Sequence, residues 1–198
     1  MVHLFEPTPR AWKRGAGASG DLLRKQIEGS PLQQSNIPAE TALDSHFKLS
    51  DINSAGDGFR FVSDRGRAAL EELAPGCVAF FPLNLKIPER IRAAAAYFFF
   101  DVLPRAQLID WDQSPTGLRI VRAPDGRESR ALTGGAFLGS AVKFKPTNEE
   151  TPPIWREADL DRPTVHFFSN KKHIFLRDDI WQGLNARFPK QLVARKLG

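Results

Sequence analysis

Asp110 and Asp112 flank Trp111 in the stretch IDWDQS. On an extended strand, residues two apart point the same way, so both carboxylates would face one side and the indole the other. Paired carboxylates suit a hard divalent cation or general acid–base work. No third acid or histidine lies close in sequence to complete either chemistry, and the economical reading is a strand end capped by acids. A small hydrolytic or nucleic-acid-acting enzyme would need a dispersed site, with Asp110, Asp112 and His166 as its members. That is the alternative from a different class.

The other chemistry-bearing residues lack the right neighbours. The histidines are His3, His46, His166 and His173, and no pair has the helical spacing of a metal site. His166 and His173 flank the SNKK turn and read as an exposed cross-strand pair. Cys77 opens the apolar run CVAFFPL without a basic residue beside it, which describes an inert thiol rather than a nucleophile. TGGAFLG has glycines but no following Lys-Ser/Thr, so it is a turn and not a phosphate loop. No cofactor and no metal are expected.

Asp64 and Asp178 raise a different question, because they stand at the same place in two similar passages. FRFVSDRGRAALEEL (59–73) and HIFLRDDIWQGLNARF (173–188) each run from a short apolar strand through an aspartate into a helical pattern. A carboxylate pair is one reading. The simpler one is that an acid in the first turn meets free N–H groups and the positive end of the helix dipole. The doubled motif is then two scaffold corners.

The 198-residue chain is 41% hydrophobic and 26% charged, as expected of a globular protein able to bury a core without disulfides or metal. Its net charge of +5 invites a nucleic-acid reading. Four of those five charges, Arg187, Lys190, Arg195 and Lys196, sit in the last twelve residues, RFPKQLVARKLG, which contain no acid. Such a tail reads as a solvated end, and nucleic acid is not the expected partner. The N-terminus lacks the apolar core of a signal peptide, and AAAAYFFFDVL is too short to span a membrane. The expected location is cytoplasmic.

The elements that must position these residues follow from the pattern. Residues 1–57 are rich in Gly, Pro and small polar residues and read as an irregular arm over the core, with helix signals only in DLLRKQIE (21–28). Order begins near 58. FRFV predicts a strand, Ser63 an N-cap and Pro75-Gly76 a helix stop. CVAFFPLNLKI predicts an edge strand or bulge because of Pro82, and PERIRAAAA a short helix. YFFFDVL predicts a central strand, GLRIVRAPDGRESRAL a hairpin and AFLGSAVKFK a further strand. Residues 146–163, with Trp155 and Arg156, predict a Pro-rich surface loop, and TVHFF-SNKK-HIFL a closing hairpin. The sum is an α+β fold, a mostly antiparallel sheet with two or three helices packed on it, in one domain over 58–198.

FRFVSDRGRAALEEL, VAFFPLNL, YFFFDVLPRAQLIDWDQS and HIFLRDDIWQGLNARF, in that order, resemble an immunity-protein family of bacterial polymorphic toxin systems, once catalogued as a domain of unknown function. The resemblance covers residues 58–188. Its closing motif carries Arg177 where the family has serine at the cap. The resemblance implies a non-enzymatic cytoplasmic protein that binds and neutralises a cognate protein toxin. Either that toxin is not a basic nuclease or the contact face is locally acidic, since the chain is basic. Aromatic residues and arginines dominate binding hot spots, so the contact candidates are Trp155 and Arg156, with Trp111 between Asp110 and Asp112.

Overall fold

The computed structural model describes residues 1–7, 22, 25–26, 30–42, 49–54, 59–86, 96–110, 112–114, 118–122, 126, 128–132, 142–157, 173–193 and 196–197. The first half supplies β1 (Val2–Leu4), β2 (Thr41–Ala42), β3 (Ile52–Ser54), β4 (Arg60–Ser63), helix α1 (Asp64–Leu73), β5 (Val78–Leu83), β6 (Leu85–Lys86) and β7 (Tyr97–Val102). The second half supplies β8 (Arg105–Ala106), β9 (Ile109–Asp110), β10 (Leu118–Arg122), β11 (Glu128–Leu132), β12 (Lys143–Phe144), β13 (Ile154–Glu157), β14 (Phe175–Arg177), helix α2 (Asp178–Arg187) and β15 (Lys196–Leu197).

Two sheets carry the fold. One runs β3-β4-β7-β5, all antiparallel; the other runs β15-β1-β14-β13-β8, antiparallel except for the β13–β8 pair. The α+β expectation holds, with two helices among the described residues. The expectation of one sheet beneath both helices is corrected: α1 follows β4 in the first sheet and α2 follows β14 in the second.

Alternation along the strands explains how both sheets share a core. Val62, Phe98, Phe100, Ile154 and Leu176 join α1 and α2 in the main apolar cluster, with Phe5 and Trp181. The residues between them point the other way. Phe61, Tyr97 and Phe99 enter one satellite cluster, and Trp155 and Phe175 another. Strands buried on both faces have to be continuously apolar, which is why YFFFDV reads as it does. Each fully buried phenylalanine is worth about 2–3 kcal/mol.

Both corners form where the sequence places them, with different fastenings. At the first, Ser63 Oγ accepts from Gly66 N at 3.2 Å and donates to Asp51 Oδ1 at 2.6 Å. Asp64 Oδ2 accepts from Ala96 N at 3.1 Å, tying the helix start to the entry of β7. At the second, Arg177 makes no side-chain cap. Its guanidinium pairs with Asp179 at 2.7 Å and donates to Thr151 O at 3.0 Å. Asp178 Oδ1 meets His3 Nε2 at 2.6 Å, and the fully buried imidazole stacks on Trp181 with centroids 4.6 Å apart. The two aspartates thus bind separate strands as scaffold. Glu72 and Arg187 form an ion pair between the helices.

Pro82 sits on an edge strand, as its missing N–H requires. Leu103 N donates to Cys77 O at 2.9 Å, and the register places Pro82 opposite Phe98. Every second residue from Cys77 therefore faces β7, and Val78, Phe80 and Pro82 turn their backbone groups outward. The outward Pro82 carbonyl accepts from Gln34 Nε2 at 3.1 Å.

Three readings are corrected. Residues 1–57 do more than wrap the surface, since β1 lies between β15 and β14 and β3 edges the first sheet. The basic tail keeps Lys190 and Lys196 exposed, yet Leu192 and Leu197 are buried and Val193 N donates to Glu6 O at 2.8 Å. Ile154–Glu157 is the buried strand β13, not part of a surface loop. Each error has one cause: a distant strand satisfies the backbone where local composition promises only solvent. The helix expected over 88–96 and the first arm of the closing hairpin fall outside the described residues, apart from Ala96. The β10–β11 hairpin forms, and Gly126 takes a positive φ of 80°, which glycine adopts readily.

Candidate partner-binding surface

The IDWDQS passage makes a self-contained corner. Asp110 closes β9, its Oδ1 accepts from Gln113 N at 3.0 Å, and Ser114 Oγ donates to the Asp110 carbonyl at 2.6 Å. The Ser114 hydroxyl also accepts from Lys143 N at 2.8 Å, locking the corner to β12. Asp112 lies beyond the strand in a bend and is exposed, while Asp110 is half-buried. Trp111 and His166 lie outside the described residues. The Asp110 carboxylate is therefore spent on a turn of its own backbone. Among the described residues, no three His, Cys, Asp or Glu side chains gather where they could hold a metal ion.

Trp155 and Arg156 are placed differently from expectation. Both are buried, at 0% and 1% exposure, so a partner reaches neither without opening the sheet. Trp155 packs on Phe175 with centroids 5.8 Å apart. Arg156 Nη2 donates to Asp101 Oδ1 at 3.3 Å, and Gln26 Nε2 donates to the same oxygen at 3.1 Å. The neighbouring Arg105 bonds the carbonyls of Val102, Leu103 and Pro104, the turn by which the chain leaves one sheet for the other.

This buried charge cluster was missed by sequence reasoning, although Asp101 is the lone charge in YFFFDV and was the available signal. Burial pulls Arg156 down to about 10, against the raising field of Asp101. Burial also pulls Arg60 down to about 9, with the Arg156 charge adding to the effect. Such a cluster fixes the junction of the two sheets, and removing one member would leave its partners charged in an apolar setting. Burial likewise pushes the half-buried Cys77 thiol up, which disfavours the reactive thiolate.

Glu157 is the second missed group. Its Oε1 accepts from Ile109 N at 2.9 Å, so the carboxyl buried behind β13 anchors the strand that ends at Asp110. Ile109 and Trp155 share one apolar cluster. The structure thus brings Asp110, Trp155, Arg156 and Glu157 into one neighbourhood, but only the Asp110–Gln113 corner reaches solvent. A second surface feature is an open groove of about 950 Å³ lined by residues 34–39 and 82–84, alongside the outward edge of β5. No helix of the described chain is long and apolar enough to cross a membrane.

Fold and site together define a two-sheet α+β protein whose described buried charges bind its own strand junctions. The chain belongs to the Immunity protein family (Imm11), whose family model matches residues 38–165. The match begins 20 residues before the stretch that carried the resemblance, inside the segment read as an arm, and ends before α2. No curated protein matches the chain.

Proposed function

We propose that this protein is a non-enzymatic cytoplasmic immunity protein of a polymorphic toxin system, which binds a cognate protein toxin and holds it inactive. The observation that carries this reading is the match to the Immunity protein family over residues 38–165. The Asp110 carboxylate supports it by serving a backbone turn, which leaves that acid committed to structure rather than to a reacting group. The proposed contact is the polar corner of Asp110 and Asp112, with Trp111 between them in sequence. This corner gives a protein of net charge +5 a locally negative feature, suited to a basic contact face on the toxin.

Protection of the producing cell demands a tight complex, with a Kd of roughly nanomolar, about −12 kcal/mol, and a buried area on the order of 1,200–2,000 Å². The test is co-expression with the toxin encoded beside this gene. The wild-type protein should restore growth, and Asp112→Lys should weaken protection while the melting temperature stays unchanged. Trp155→Ala should lose protection together with the fold, because a buried tryptophan truncated to alanine costs about 3–5 kcal/mol. Failure of the wild-type protein to protect removes the functional reading; full protection by Asp112→Lys moves the contact elsewhere.

A further inference from the structure

Glu157 is 4% exposed, and only one of its carboxyl oxygens has a hydrogen-bond partner. Oε1 accepts from Ile109 N at 2.9 Å, while Oε2 is buried without one. Its surroundings supply little charge. The parallel β8 strand offers Ala106, β9 offers the Ile109 amide, and Leu108 adds a nearby amide. Trp155, two residues back on the same face of β13, brings its indole Nε1 near the carboxyl without completing a hydrogen bond to it. Among the described residues, the cation whose field reaches it is Lys145, just past β12, whose backbone N donates to Leu108 O at 2.8 Å. Arg156 precedes it on the opposite face of the strand and belongs to the Asp101 cluster.

We propose that Glu157 is a proton-dependent clasp: protonated, it seals β9 against β13, and ionised, it loosens β9 and the Asp110–Ser114 corner that β9 leads into. A neutral carboxyl keeps its carbonyl oxygen on the Ile109 amide at little cost to the apolar cluster around it. An ionised one places a charge among Ile109, Val142, Trp155 and Phe175, and draws in water or the Lys145 ammonium to meet it. Burial pushes the carboxyl up to about 7, with the Ile109 amide and Lys145 opposing. The folded state therefore holds this proton more tightly than the unfolded chain does. The clasp is complete below the ordinary carboxyl range and is lost as pH rises through about 7.

Amide hydrogen exchange on the full chain tests this. Corrected for intrinsic exchange, protection of the Ile109 amide should fall by about tenfold between about pH 6 and about pH 8.5, the ceiling being tenfold per pH unit below the transition and the profile levelling off above it. The β4 amides should keep theirs, which separates local loosening from global unfolding. Glu157→Gln should flatten the profile at Ile109. Lys145→Gln, which leaves the buried carboxyl in place, should move the transition to higher pH. The same Ile109 profile in wild type and Glu157→Gln overturns the proposal. If Glu157→Gln does not fold, an unchanged midpoint in Lys145→Gln overturns it instead.

Discussion

Replacing Gly66 with alanine should destabilise the protein, although alanine is the better helix former. Gly66 lies in the first turn of α1, where an added Cβ would stand 2.5 Å from the Asp51 carbonyl oxygen and 2.9 Å from Val62 Cβ. Both are backbone or tethered directly to it, so no side-chain rotation relieves the clash. Moving Asp51 also strains its carbonyl's bond from Ser63 N at 3.0 Å and its carboxylate's bond from Ser63 Oγ at 2.6 Å. Overpacking costs about 2 kcal/mol, the two weakened hydrogen bonds about 1 kcal/mol each, and the helix gain returns about 1 kcal/mol. The net loss is about 3 kcal/mol, which for a chain of this size lowers the Tm by about 5–10 °C. Gly183→Ala is the control. Its Cβ would meet Leu73 Cδ2 at 2.9 Å, the tip of a half-buried side chain that can turn aside. The helix gain of about 1 kcal/mol then offsets the repacking, and the Tm should move by no more than about 3 °C. Thermal melts followed by circular dichroism measure both. A Gly66→Ala protein as stable as wild type would refute the close approach of α1 to Asp51.

Ser63→Ala should cost about 1–2 kcal/mol in a urea titration, because it strips both the Gly66 cap and the Asp51 bond. Arg177→Ala at the matching position should cost less than about 1 kcal/mol, since its pair with Asp179 is largely solvated. The Arg177 guanidinium holds Asp179 below the usual carboxylate range, so that contribution is present near neutral pH, fades as pH falls into the acid range, and is absent in Arg177→Ala. Deleting residues 192–198 should destabilise by about 3 kcal/mol or more, because Leu192 and Leu197 are buried and β15 covers one side of β1; an unchanged melting curve would restore the reading of a solvated tail.

The sequence determined what a few consecutive residues can settle among themselves. Ser63 followed by an acid and a helical pattern starts a helix through bonds spanning three residues, and the start at Asp178 was equally legible. Pro82 cannot donate to a ladder, so it marked an edge whatever lay across from it. The corner at Asp110–Ser114 was readable as a polar strand end because its bonds reach only three or four residues. Tertiary structure decided everything that needed a distant partner. Whether Trp155 anchors a toxin or fills a core depends on Phe175, and whether Arg156 is a surface arginine depends on Asp101, 55 positions away. The N-terminal segment looked irregular because β1 is only three residues long, too short to show a period, yet it finds hydrogen-bond partners on β14 and β15 near the other end of the chain. Short strands carry almost no local signal, and their place is fixed by the burial and backbone pairing they gain only when the sheet closes.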